Sequence, residues 1–305
     1  MVIKKIVLSL FLVVLLIITA CSSGKDTKSV ESPYFGGSQG LIAIVEDIGL
    51  VNTQTQKQEV FEDESFPISV LMNNKGEYTI PANSVKLSVK GISPSDFTGI
   101  DFFKTNTKDI DKMSEALKDG GEESVFFGDA QYKGVVGTFY DANVFVEYIY
   151  PYESYIAIPR VCYKGDPKDK GICELDEVKP AFISAGPIGL GTVVQRPAGK
   201  GRITLEIPIR NLGATQDGKV KAYDFDDFTP LYDQVAFQVQ TAGWTCTARG
   251  NPNVARMVKN SDVVILCRYD NIGEKEIFTS QVDIKLTYFY KDFTTTKIRI
   301  RENLK

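Results

Sequence analysis

Alternation of apolar residues at every second position constrains this chain more than any other feature. Phe66, Ile68, Val70 and Met72 are separated by Pro67, Ser69 and Leu71, and the segment then reaches Asn74-Lys75-Gly76. Far downstream, Ile203, Leu205, Ile207 and Ile209 are separated by Thr204, Glu206 and Pro208, and that segment reaches Asn211-Leu212-Gly213. A period of two sends successive side chains to opposite faces of an extended strand, so one face is buried and the other is wet. An all-β fold follows. Each Asn-x-Gly is expected to end its strand, because both residue types tolerate positive φ.

The two segments match position for position, and the match extends to both sides. Upstream, Ser38-Gln39-Gly40-Leu41-Ile42 parallels Ser184-Ala185-Gly186-Pro187-Ile188, and downstream Val85-Lys86-Leu87 parallels Val220-Lys221-Ala222. Near each end, the segment from Val144 to Tyr150 parallels that from Ile284 to Tyr290. The offsets of 146, 137, 135 and 140 residues drift little, as expected for two copies of one unit that differ in loop length. The size and pattern of each copy predict an antiparallel β-sandwich of immunoglobulin-like type. Two tandem domains are therefore expected over 38–175 and 184–303. Between Cys173 and Ser184 the residues Glu174, Asp176, Glu177, Lys179 and Pro180 interrupt the alternation. One stretch departs from the β pattern. Thr107 is placed to cap a short helix over 108–118, with Ile110, Met113 and Leu117 on one face and Gly120-Gly121 as its stop.

The N-terminus sets the compartment. Lys4 and Lys5 precede an apolar run from Ile6 to Ile18 broken by Ser9, and Thr19-Ala20-Cys21 follows. A charged start, a short apolar stretch and small residues make a secretory signal over 1–20; a membrane-spanning helix needs about 20 apolar residues. Ile18-Thr19-Ala20-Cys21 resembles the lipobox of prokaryotic lipoproteins, which implies lipid on the Cys21 thiol and cleavage just before it. A plain signal peptide or an uncleaved anchor is the alternative. Residues 21–37 then form a flexible tether, and two acyl chains at about 0.8 kcal/mol per buried methylene hold an extracytoplasmic body to the membrane.

With Cys21 assigned to lipid, Cys162, Cys173, Cys246 and Cys267 remain of the five cysteines. Sequence proximity favours Cys162–Cys173, closing a polar turn-rich loop, and Cys246–Cys267, joining two strand-like segments. Each bridge would contribute about 3 kcal/mol. A metal site is the rival reading, but the cysteines lack C-x-x-C spacing and the chain has no His. The missing His also removes Ser-His-Asp and Cys-His nucleophile systems. A net charge of −4, becoming −6 once Lys4 and Lys5 are cleaved away, lacks the basic footprint of a nucleic-acid binder.

Candidate chemistry is sparse. Asp224, Asp226 and Asp227 in Asp-Phe-Asp-Asp form the best calcium candidate, against the plainer reading of a solvated acidic loop. No other cofactor is expected. Asp109, Asp111 and Glu115 decorate the predicted helix as ordinary surface charge. Tyr140, Phe145, Tyr148, Tyr150, Tyr152 and Tyr155 have the makings of a sugar-stacking platform. Their match to Tyr288 and Tyr290 favours a core role instead. Trp244, the single Trp, stands two residues before Cys246 and is expected to pack in the core.

A strand ending in Asn-x-Gly, followed by one of Val-x-Leu type, resembles the CARDB and S-layer-associated immunoglobulin-like modules of prokaryotic, chiefly archaeal, surface proteins. The likeness is confined to these two blocks. It implies an adhesive, scaffolding or spacer role with envelope or surface proteins as partners, and it transfers no catalytic residues. No Asn-x-Ser/Thr sequon is present. The expected function is non-enzymatic: a lipid-anchored surface protein serving adhesion, envelope scaffolding or partner binding. The alternative is an extracytoplasmic lipoprotein that captures a carbohydrate or peptide.

Overall fold

A computed structural model describes residues 30–53, 57–213, 217–222, 227–258 and 261–303. Every regular element among them is a strand. The expected signal peptide over 1–20, Cys21 and residues 22–29 of the expected tether lie outside the described residues.

The strands form three sheets. The first has the order β1 (Leu41–Val45), β4 (Ser65–Asn74), β8 (Glu122–Tyr132), β6 (Phe97–Ile100). The second runs β10 (Glu177–Val178), β13 (Val194–Pro197), β14 (Ile203–Asn211), β19 (Val263–Tyr269), β17 (Trp244–Ala248), and β12 (Ile188–Leu190) pairs with β14 on the same edge as β13. The third is shared. Its order is β18 (Val254–Val258), β16 (Tyr232–Val239), β20 (Ile277–Arg301), β9 (Phe139–Lys164), β5 (Lys86–Lys90), β7 (Phe103–Thr105). Short strands β2 (Leu50–Asn52), β3 (Lys57–Phe61), β11 (Phe182–Ile183) and β15 (Lys219–Lys221) line its margins. Among the described residues, pairing is antiparallel except where β3 runs parallel to the end of β20.

The alternation noted in the sequence is the inward face of these sheets. Ile68, Val70 and Met72 on β4, and Ile203, Leu205, Ile207 and Ile209 on β14, are fully buried. Each such side chain contributes roughly 1.5–3 kcal/mol on leaving water.

The order of the shared sheet is palindromic. β7-β5-β9 of the first half mirrors β18-β16-β20 of the second, and β1-β4-β8-β6 of the first outer sheet corresponds to β12-β14-β19-β17 of the second, which adds β13 and β10. The registers agree with this. Leu87 and Val89 on β5 face Tyr148 and Val146, while Phe237 and Val239 on β16 face Leu286 and Ile284. The long strands thus correspond at an offset of 138 rather than 140 residues, and the counterpart of β5 lies in β16 rather than at Val220-Lys221-Ala222. At this offset the β9–β20 ladder maps onto itself about the pair Pro151–Phe289, with Tyr150 opposite Tyr290 and Tyr152 opposite Tyr288.

The helix expected over 108–118 does not form. Its backbone donors are drawn across to other elements: Ile110 exchanges hydrogen bonds with Ile80, and Met113 N–H donates to Gly76 O. The Thr107 cap is taken as well, its N–H and Oγ1 both donating to Glu123 Oε1 at 2.7 Å. A helix this short is marginal in water, so fixed partners outside it win. Gly120 and Gly121 serve that packing: a Cβ on Gly120 would lie 1.8 Å from Asn74 O.

Both disulfides are formed. Cys246 and Cys267 are directly opposed on β17 and β19, and Cys162 on β9 is bridged to Cys173 in the loop that follows.

Candidate functional site

The two Asn-x-Gly corners organise the centre of the molecule by hydrogen bonding. Asn74 Oδ1 accepts from Gly76 N–H at 3.1 Å, and Asn211 Oδ1 accepts from Gly213 N–H at the same distance. The Asn74 amide donates to Tyr78 O and Ile110 O; that of Asn211 donates to Gly218 O and the Asp233 carboxylate. The glycines do not sit at positive φ, contrary to the expectation from the motif. They are small because a tyrosine hydroxyl approaches them. A Cβ on Gly76 would lie 1.7 Å from Tyr152 OH, and one on Gly213 would lie 1.9 Å from Tyr290 OH.

Those hydroxyls belong to a buried tyrosine row. Period-two geometry points Tyr148, Tyr150 and Tyr152 of β9, and Tyr288 and Tyr290 of β20, to the same inner face, where all five are buried. Tyr148 and Tyr150 stack nearly parallel at 6.1 Å, and Tyr150 meets Tyr290 at 5.7 Å. Leu41 N–H donates to Tyr150 OH at 3.2 Å, Tyr152 OH donates to Ala185 O at 2.7 Å, and Ser154 bonds Tyr288 OH at 2.8 Å. Burial pushes these phenols well above the ordinary tyrosine range, so they act as neutral hydrogen-bonding groups.

At one end of the row lies a cavity of about 300 Å³, walled by Gly40, Tyr148, Tyr150, Tyr290, Asp292 and Thr294 among others. Asp292 follows Tyr290 on the inward parity of β20. Burial raises its carboxyl pKa, and the Asp217 charge adds to this; hydrogen bonds from Phe293 N–H, at 2.9 Å, and from Tyr148 act the other way. None of the described residues that wall the cavity is Lys or Arg.

Other sequence candidates fall elsewhere. Asp224 and Asp226 lie outside the described residues, and Asp227 is exposed. Among the described residues no group of three His, Cys, Asp or Glu side chains is placed to hold a metal ion, and no helix is long and apolar enough to cross a membrane. Asp109 accepts from Ala82 N–H at 2.7 Å, a loop contact. Of the aromatic stretch, Tyr148, Tyr150 and Tyr152 converge on the core, whereas Phe145 and Tyr155 stand partly exposed on the opposite face, and Tyr140, in phase with the buried tyrosines, is partly exposed near the start of β9 and stacks on Tyr132 at 5.4 Å. Trp244 is buried and donates from Nε1 to Tyr163 OH at 2.9 Å. Sequence reasoning missed Asp292, whose signal was an acidic residue in phase with Tyr288 and Tyr290. It also missed Glu77, whose carboxylate gathers the N–H groups of Phe35, Gly36 and Ala185. No protein-family model matches the chain, and no curated protein matches it.

Proposed function

We propose that this protein is a lipid-anchored surface protein with a non-enzymatic role in adhesion, envelope scaffolding or partner binding. Its two halves are read as tandem immunoglobulin-like sandwiches of CARDB type. The outer strand orders correspond to A-B-E-D of that fold, with β5 and β9, or β16 and β20, as C and F. The G position beside each F strand is taken by the far half of the other long strand.

The observation that carries the reading is the β9–β20 ladder. It pairs without a break in partnership from Phe139–Arg301 to Lys164–Ile277, apart from one bulge near Ser280. At about 3.3 Å per residue, the 25 residues of β20 make a beam roughly 80 Å long. Such a beam suits a body that holds partners at a distance from a membrane. Two disulfides suit an oxidising, extracytoplasmic compartment. The lipobox at Cys21 supplies the tether. On the outward face of the first sheet, Ile44 and Phe126 are each more than half exposed, and Leu71 pairs with Ile44 across the ladder. Exposed apolar groups clustered on a sheet face suit protein contact.

The test combines fractionation and capture. Cys21→Ser is expected to release the protein from membranes into the soluble fraction. Ile44→Lys with Phe126→Asp is expected to abolish capture of envelope partners by the anchored chain. Unchanged membrane association in the first, or unchanged capture in the second, refutes the corresponding part of the reading.

A further inference from the structure

We propose that the cavity beside Asp292 is a binding site for a small organic cation, a primary ammonium on a short apolar body. This goes beyond the surface role proposed above and does not rest on it.

The argument begins with the broken symmetry of the tyrosine row. At the 138-residue offset, Asp292 corresponds to Ser154 and Tyr148 to Leu286. Around Ser154 the space is filled: its hydroxyl bonds Tyr288 OH at 2.8 Å, and a Cβ on Gly186 would lie 2.7 Å from the Tyr152 ring and 2.9 Å from Ser154 Oγ. Around Asp292 a cavity of about 300 Å³ remains. One copy therefore closes its end of the row with a neutral hydroxyl, and the other places a carboxylate in an open chamber.

The chemistry of the chamber selects the ligand. The carboxylate accepts from Phe293 N–H at 2.9 Å, which leaves further lone pairs for a donor. Its walls carry aromatic rings, whose faces attract cations, and no described lining residue supplies a competing positive charge. Desolvation of this carboxylate is a cost that a bound cation offsets. A divalent metal demands six or so oxygen ligands around one ion, and a single carboxylate among phenols does not meet that demand. An ammonium needs one counter-charge and acceptors for its three N–H groups, with room for a few carbons; the volume is at the small end of the range for ligand pockets.

The test uses the full chain in detergent, titrated calorimetrically with n-propylammonium chloride and, separately, with n-propanol as the neutral isostere. Saturable millimolar binding of the ammonium but not the alcohol is expected. Asp292→Asn, shown to be folded by its near-ultraviolet circular dichroism, is expected to lose at least about tenfold in affinity. Thr294→Trp, which fills the chamber while keeping the carboxylate, is expected to lose binding as well. Equal binding of the alcohol, unchanged affinity in either variant, or no saturable binding of the ammonium to the native chain overturns the proposal. The contrast between the two probes on the native chain needs no variant to fold.

Discussion

Replacing Asn74 by Ala tests whether the shared sheet makes the two halves one cooperative unit. Asn74 is fully buried, and its amide donates to Tyr78 O at 2.7 Å and Ile110 O at 3.1 Å while its Oδ1 accepts from Gly76 N–H at 3.1 Å. A hydrogen bond contributes a net of about 1 kcal/mol, so losing three costs about 3 kcal/mol, and the orphaned backbone groups do not reduce that figure. With a urea slope of about 3 kcal/mol/M, the midpoint falls by about 1 M. The reporter sits in the other half. Trp244 is the only Trp, on β17, and its indole donates to Tyr163 OH of β9 at 2.9 Å. The far half of β9, from Tyr152 to Lys164, pairs with the near half of β20. Loosening the Asn74 corner should therefore lower the Trp244 fluorescence midpoint and the far-ultraviolet circular dichroism midpoint together. If the dichroism transition splits and the Trp244 transition stays at the native midpoint, the halves unfold independently and the reasoning fails. Asn211→Ala provides the reciprocal case and should move both probes by a similar amount.

Three further expectations follow from the same geometry. Gly76→Ala and Gly213→Ala should each cost about 1–3 kcal/mol, because the added methyl meets a tyrosine hydroxyl, and Tyr152→Phe or Tyr290→Phe should partly rescue its own glycine variant in a double-mutant cycle of urea melts. Removing the cross-strand bridge with Cys246→Ala and Cys267→Ala should cost about 3 kcal/mol, read as a lower Tm that no longer responds to reductant at that bridge. Asp292 has a folded pKa above its unfolded one, so its contribution to stability is greatest at acid pH and is lost as pH rises through the folded value. Asp292→Asn should therefore raise Tm at neutral pH more than at acid pH, and an equal change at both would contradict the assignment.

The β character of the chain was legible because its signal is local. Phe66 to Met72 and Ile203 to Ile209 state which face is buried without reference to any partner. The cysteine pairs were legible for the same reason, being close in sequence. The helix over 108–118 misled because its cap and apolar spacing are also local signals, while Ile80, Gly76 and Glu123, which claim its backbone, are distant. The glycines of Asn-x-Gly misled more subtly. Turn chemistry explains such a glycine through positive φ, but the requirement here comes from tyrosines on a strand many residues away. The matched segments fall on strands that correspond in sheet order, yet their register on the long strands was not legible. Tyr148 and Tyr150 resemble Tyr288 and Tyr290 by spacing, and it takes the strand registers and the contacts with Gly76 and Gly213 to pair Tyr152 with Tyr290. Asp292 was passed over because its phase with Tyr290 becomes meaningful only once that face is known to be inward.

The palindromic sheet and the asymmetric cavity bear on one another. If each long strand serves its own half and then flanks the other, the tyrosine row lies where the two halves meet, and both halves gain from its burial. Buried rings there remove apolar surface from water on both sides of the Pro151–Phe289 centre, through Tyr150, Tyr152, Tyr288 and Tyr290. Ser154 keeps its end closed and satisfied. Asp292 holds a carboxyl partly out of water, a desolvation cost that the serine in the equivalent place does not carry. The departure from symmetry, more than the symmetry itself, is therefore where a ligand is to be sought.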